Sequence, residues 1–212
     1  FAPAPIPAEL TGGPRPVALA RAHFFSGTRI DVDAIGQLLH SRGVLFALDA
    51  IQTLGAYPIS VQHVDFLSAD AHKWLLGPMA IGIVYVKKSR FEVLRPTLLG
   101  AWNVVSPGFQ AQEEIRFVPT AQRYEPGVLN VPGVYAMKAA LELILGLGIR
   151  RIAERLAELK AHLVRRLDAA GYEIIGHREG PLSHAITTCR RPGVDHPALY
   201  QRMSEAGIVC SL

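Results

Sequence analysis

Cysteine is scarce in this sequence: two residues in 212, Cys189 and Cys210, with no CxxC spacing. That gives no disulfide framework and leaves a reducing, cytoplasmic setting as the expectation. Both cysteines are expected in the core, because free cysteine is among the most buried residue types. No apolar run reaches the roughly 18 residues that would suggest a membrane span. No basic stretch followed by an apolar run opens the chain, so no signal peptide is read. The first residue is Phe1 rather than Met, and the chain is expected to begin inside a longer protein. Charge is also thin. Only 19% of residues are charged while 50% are hydrophobic, which argues for a sizeable core and against disorder. The net charge of +4 is a mild excess. A nucleic-acid binder would gather it on one face, whereas an enzyme for anionic ligands fits equally well.

What is present alternates between strand and helix. Residues 1–16 hold five prolines and the pair Gly12-Gly13, an irregular lead-in. Val17–Ala22 reads as a strand. Asp31 or Asp33 can cap a helix running to about Arg42, which Gly43 ends. Val44–Leu48, Asp65–Ser68 and Ile81–Val86 read as further strands, the first a buried parallel one. The pattern predicts an α/β fold with a mostly parallel sheet layered by helices. Val131–Leu147 reads as a helix with Pro132 in its first turn. Ile149, Ile152, Leu156, Leu159, Leu163 and Leu167 then form one apolar stripe on a long amphipathic helix. Strands Tyr172–Ile175 and His184–Thr188, a helix near Pro197–Glu205 and a strand Ile208–Ser211 suggest the start of an α+β lobe. The division is therefore 1–16, 17–148 and an incomplete domain 149–212.

Three clusters can carry chemistry. Asp49, in Leu48-Asp49-Ala50-Ile51-Gln52, lies just past a buried strand, where open parallel sheets bind ligands. A carboxylate there is costly to bury unless a cation meets it, and a protonated pyridine nitrogen would serve. It could equally cap a turn. The second cluster runs Asp65-Phe66-Leu67-Ser68-Ala69-Asp70-Ala71-His72-Lys73-Trp74. Lys73 directly follows a strand, with a stem long enough to reach a cofactor aldehyde. His72 and Ser68 can donate to a phosphate. Read alone, Lys73 is a surface lysine and Trp74 a core anchor; the Asp49–Gln52 cluster upstream shifts the balance. The third is Arg123-Tyr124-Glu125-Pro126-Gly127-Val128-Leu129-Asn130, a Pro-Gly turn before a helix, which suits either an anion or an ordinary helix start.

Together the segments FALDAIQTLGAYPISVQHVDFLSADAHKWLLGP, IGIVYV and RYEPGVLN resemble the class V aminotransferases, the family of the cysteine desulfurases, isopenicillin N epimerase and kynureninase. The resemblance implies a fold-type-I enzyme dependent on pyridoxal 5'-phosphate, with part of a small C-terminal domain. It implies that Asp49 pairs with the pyridine nitrogen and that Gln52 bonds the phenolic oxygen. Ser68 and His72 would serve the phosphate. Lys73 would form the Schiff base and move protons at the substrate α-carbon. Arg123, Glu125, Gly127 and Asn130 match a segment that reaches the neighbouring site of a homodimer. His23 and Ser26-Gly27 fall on a cofactor-proximal strand and turn without a role. The implied reaction is transamination or α/β-lyase chemistry on an amino acid. The alternatives are cysteine desulfurase or selenocysteine lyase, and a catalytically incomplete dimerisation scaffold.

Departures from the family pattern concern the phosphate. Val128 stands where a threonine is common, Asp70 where some desulfurases carry serine, and Met79-Ala80 where Glu-Gly is common. Neither cysteine is assigned as sulfur acceptor. Two other readings carry less. Arg150, Arg151, Arg155, Lys160, Arg165 and Arg166 interleave with Glu154, Glu158 and Asp168, a solvated face rather than a nucleic-acid surface. His63, Asp65, Asp70 and His72 would not converge on a metal, since strand alternation separates Asp65 from Asp70. No metal, nucleic acid or membrane partner is expected.

Overall fold

The computed structural model describes residues 16–105, 110 and 114–212. The lead-in expected at 1–16 lies almost wholly outside the described residues. The chain divides into two compact units. The larger contains 30–153 and the strand before Arg21. Its sheet has the order β1 (Pro16–Ala20), β2 (Leu45–Asp49), β3 (Phe66–Asp70), β4 (Gly82–Val86). The β1–β2 and β2–β3 pairs are parallel and β3–β4 is antiparallel.

Helix α1 (Val32–Ser41) connects β1 to β2. Asp31 caps it, its Oδ1 accepting the Ala34 amide at 3.0 Å, so the first of the two expected caps is the one used. Gly43 follows the helix end at φ +67. Phe46, Leu48, Leu67 and Ala69 project from one sheet face against Val32 and Leu39 of α1. Met137 of α2 (Val131–Leu147) joins the same core. Asn130 caps α2 by accepting the Gly133 amide at 3.1 Å, with Pro132 in the first turn as the sequence predicts. Buried Asp65 closes the sheet's lower end, accepting the Phe46 amide at 2.8 Å and the Arg90 guanidinium at 2.7 Å.

The opposite sheet face is different. Ala18, Ala20, Ala47, Asp49, Ser68 and Val84 line an open depression of about 310 Å³ there. Period-two alternation produces this two-sidedness: Phe46, Leu48, Leu67 and Ala69 point to the core, while Ala47, Asp49, Phe66 and Ser68 point to the open face.

The second unit contains 154–212 together with residues 22–29, which a division at residue 149 does not anticipate. Its elements are helix α3 (Ile149–Ala169) from Glu154 onward, the antiparallel pair β5 (Glu173–Ile175) and β6 (Thr188–Arg190), and α4 (His196–Glu205). Thr28 bridges Ser183, and the Thr188 hydroxyl donates to the Phe25 carbonyl. Three expectations fail here. The strand expected over His184–Thr188 begins only at Thr188, because the buried His184 ring turns back to accept the Ile186 amide at 2.9 Å. The strand expected over Ile208–Ser211 does not form; Val209 is 98% exposed and Cys210 is exposed rather than in the core. The buried stripe of α3 is also rotated. Lys160 and Val164 face inward, while Leu159 and Leu163 are exposed. Lys160 can occupy that line because its Nζ donates to the Ile186 carbonyl at 2.9 Å.

Candidate active site

β2 and β3 run parallel, so their carboxyl ends lie at the same edge of the sheet. Asp49 is the last residue of β2, one position earlier relative to the strand end than the sequence suggests. It is exposed on the open face, and its register partner on β3 is Ser68. Asp49 Oδ1 accepts the Ile51 amide at 2.9 Å. The turn-capping role is thus real, and it leaves the second oxygen open: among the described residues Oδ2 makes no hydrogen bond. Gln52 follows in the same turn, half-buried.

Lys73 lies three residues beyond the end of β3, in a turn drawn tight by hydrogen bonds from the Leu76 amide to the Lys73 carbonyl (3.1 Å) and from the Gly77 amide to the Ala71 carbonyl (2.8 Å). Leu76 (φ 55) and Ala80 (φ 59) adopt the left-handed region without being glycine. Such backbone costs about 1–3 kcal/mol per residue and persists only where surroundings enforce it, commonly at functional sites. Lys73 is half-buried, and its Nζ makes no ion pair or hydrogen bond among the described residues. Gly55 (φ +98), unremarked in the sequence, backs this turn: a Cβ there would overlap the Trp74 carbonyl.

His72 is exposed, with Nδ1 3.8 Å from Asp70 Oδ2. Asp70 is exposed too. The carboxylate therefore points to solvent and toward the histidine. Neither His72, Lys73 nor Gln52 lines the depression that holds Asp49 and Ser68.

In the third cluster, Glu125, Gly127, Val128 and Asn130 are exposed, Val128 at 87%. Asn130 also donates through Nδ2 to the Ala80 carbonyl at 3.3 Å, which joins this segment to the turn after Lys73. Arg123 differs from its exposed neighbours in the segment. Its side chain is buried, with the guanidinium 5.3 Å and 5.7 Å from the Phe91 and Phe117 ring centres and Nη1 3.2 Å from Glu92. Aromatic rings on both sides hold a cation well, so Arg123 braces the segment from within. Burial raises the pKa of neighbouring Tyr124, partly offset by the Arg123 charge. His23 and Ser26 belong to the other compact unit, where Ser26 Oγ lies 3.2 Å from His23 Nδ1. Among the described residues, no three His, Cys, Asp or Glu side chains are grouped to hold a metal ion.

The chain as a whole is similar to known proteins. The family model "Aminotransferase class-V" covers residues 2–211. A probable cysteine desulfurase of Chlamydia trachomatis is 32% identical over 202 residues, covering 94% of this chain and 49% of the relative. The isopenicillin N epimerase of Amycolatopsis lactamdurans is 28% identical over 197 residues, 88% of this chain and 49% of its own. Among solved structures, the apo cysteine desulfurase of Thermococcus onnurineus superposes with a TM-score of 0.84 at 23% identity, over 92% of this chain and 48% of the other. The chain thus spans about half the length of the relatives it matches. With the family model running over almost the whole sequence, the chain belongs to the class V aminotransferases.

Proposed function

We propose that this chain is the lysine-bearing, cofactor-binding portion of a pyridoxal-phosphate enzyme acting on an amino acid by transamination or α/β-lyase chemistry. The observation that carries the reading is the pairing of two ligand groups at the carboxyl ends of adjacent parallel strands. One is Asp49, with Oδ2 uncommitted; the other is Lys73, whose amine has no partner among the described residues. That donor set fits the group: a carboxylate for a ring-nitrogen proton, an amine for an aldehyde, and Ser68 and His72 for a phosphate. When bound, pyridoxal phosphate supplies an electron sink for bonds broken at the substrate α-carbon. Asp49 holds a proton on the ring nitrogen by its charge. Gln52 orients the phenolic oxygen. Lys73 would hold the cofactor through its amine, and the same amine would move the proton at the substrate α-carbon.

A cytoplasmic setting is supported by two free cysteines. For a homodimer the support is the exposure of the apolar side chains Leu98, Leu99, Trp102, Ile115 and Val128. Desulfuration is the second reading, favoured by relatives named cysteine desulfurase and by the exposure of Cys210.

The test is covalent. The protein is incubated with pyridoxal phosphate, reduced with borohydride and digested. Cofactor mass should appear on the Lys73 peptide and vanish in Lys73→Ala. Label spread evenly over surface lysines, or none, would leave the scaffold reading. Sulfide release from cysteine, lost in Cys210→Ser, would favour desulfuration.

A further inference from the structure

We propose that Asn103 is a positioning residue that fixes the Glu125–Asn130 segment and, through Asn130, the turn carrying Lys73. The inference rests on the functional reading above for its consequence, though not for its geometry. Asn103 is fully buried, a place where a side-chain amide is costly unless its hydrogen-bonding groups are used. They are used here. Oδ1 accepts the Gly100 amide at 3.0 Å. Nδ2 donates to the Leu98 carbonyl at 2.8 Å and to the Arg123 carbonyl at 3.1 Å. The Asn103 backbone carbonyl accepts the Val118 amide at 3.0 Å, and the Val105 amide donates to the Arg116 carbonyl at 2.7 Å. One side chain therefore ties the 98–100 bend to the 121–124 turn, beside a short backbone ladder.

The next contact passes the constraint on. Gly100 lies so close to Pro126 that any Cβ would overlap the Pro126 carbonyl. The Gln122 side chain donates to the Trp102 carbonyl at 3.0 Å, and the Tyr124 hydroxyl to the Leu94 carbonyl at 2.9 Å. Pro126 leads through Gly127, Val128 and Leu129 to Asn130. Asn130 then holds both ends of the relay, capping α2 through Gly133 and bonding Ala80 beyond Lys73. The segment that follows Lys73, up to Ala80, contains two non-glycine residues in the left-handed region, so it needs external support. Asn103 supplies part of it from a distance, without touching the Asp49–Lys73 groups.

Two variants test this, since either alone could fail to fold. Asn103→Asp keeps the size and the acceptor for Gly100 but loses both donors. Asn103→Ala loses all three bonds. Leu39→Ala, a core truncation under α1, is the control for general destabilisation. Native-state hydrogen exchange is read at the Val131, Gly133 and Val134 amides and at Leu76 and Gly77. Both Asn103 variants should speed exchange at these sites by about tenfold relative to amides in β2, as expected for one lost buried hydrogen-bond relay. Leu39→Ala should not change that ratio. Unchanged ratios in the Asn103 variants, or an equal change in Leu39→Ala, overturn the proposal. In a second arm, borohydride-fixed pyridoxal phosphate at Lys73 should need about tenfold more cofactor in the Asn103 variants. If wild type takes no cofactor at Lys73, the functional reading fails while the exchange result still decides the role of Asn103. If wild type takes it and the variants match wild type in both arms, the positioning role is wrong and the functional reading stands.

Discussion

Asp49 and Ser68 are register partners on neighbouring parallel strands, and both face the open side of the sheet. One carboxylate oxygen is held by the Ile51 amide, so the side chain is already oriented before any ligand arrives. Asp49→Asn keeps that acceptor and removes only the charge. We expect the variant to fold with an unchanged thermal midpoint and still take pyridoxal phosphate at Lys73. Turnover of the assembled enzyme should fall at least about a hundredfold, the scale of losing one preorganised charge at a reacting group. Steady-state product release from the amino-acid substrate reads it. Turnover within about twofold of wild type would mean that Asp49 is only the turn cap.

Asp70 stands 3.8 Å from His72 and is exposed. If His72 serves the phosphate, this carboxylate works against it, since a like charge beside a dianion repels. Replacing Asp70 by serine removes the repulsion and restores a hydroxyl. Cofactor affinity should rise by roughly threefold to tenfold at low salt, the range of an exposed charge interaction worth about 1 kcal/mol. Added salt should shrink the gain. Titration by fluorescence quenching at two ionic strengths measures both, and weaker binding by the serine variant would count against a phosphate at His72.

The strand ends that carry Asp49 and precede Lys73 were legible in the sequence because they are local features, short apolar runs followed by polar residues. Helix α2 was legible for the same reason, with Pro132 marking its first turn. Long-range packing was not. Six apolar residues at helical spacing could not tell which edge of a broad stripe turns inward, and the inward line runs through Lys160 because a distant carbonyl, Ile186, accepts its proton. The burial of Arg123 against Phe91 and Phe117 was not legible, since it depends on Phe91, 32 residues upstream, coming near it. Asn103 and Gly55 carry no sequence signal of their own, since their importance lies wholly in which backbone groups come near.

Lys160 gives a pH dependence. Its burial lowers its pKa below the ordinary 10.5. Between the lowered value and 10.5 the unfolded chain binds more protons than the folded one, so stability rises with pH across that window and is lowest below it. Cys189 and Tyr124 have raised values and act oppositely above 9.0 and 10.0. The informative quantity is therefore the difference between wild type and Lys160→Met. Wild type should gain on the variant in thermal midpoint as pH climbs toward 10.5. A flat difference across the alkaline range would show that the ammonium is solvated in the folded state.

Gly55 and Gly43 both take positive φ, and they should answer differently to alanine. At Gly43 nothing lies within 4 Å of an added Cβ, so only backbone strain is felt. Its cost should be about 1 kcal/mol, with cofactor attachment at Lys73 untouched. At Gly55 the same strain is joined by overlap with the Trp74 carbonyl, one peptide beyond Lys73. Relief requires the turn to move, because the obstruction is backbone and cannot rotate away. Gly55→Ala should lose about 2–4 kcal/mol in chemical denaturation. It should also lower borohydride-fixed label at Lys73 under conditions where the protein is still folded. If the two alanine variants lose equal stability and equal label, the close approach of Gly55 to the lysine turn has no functional consequence.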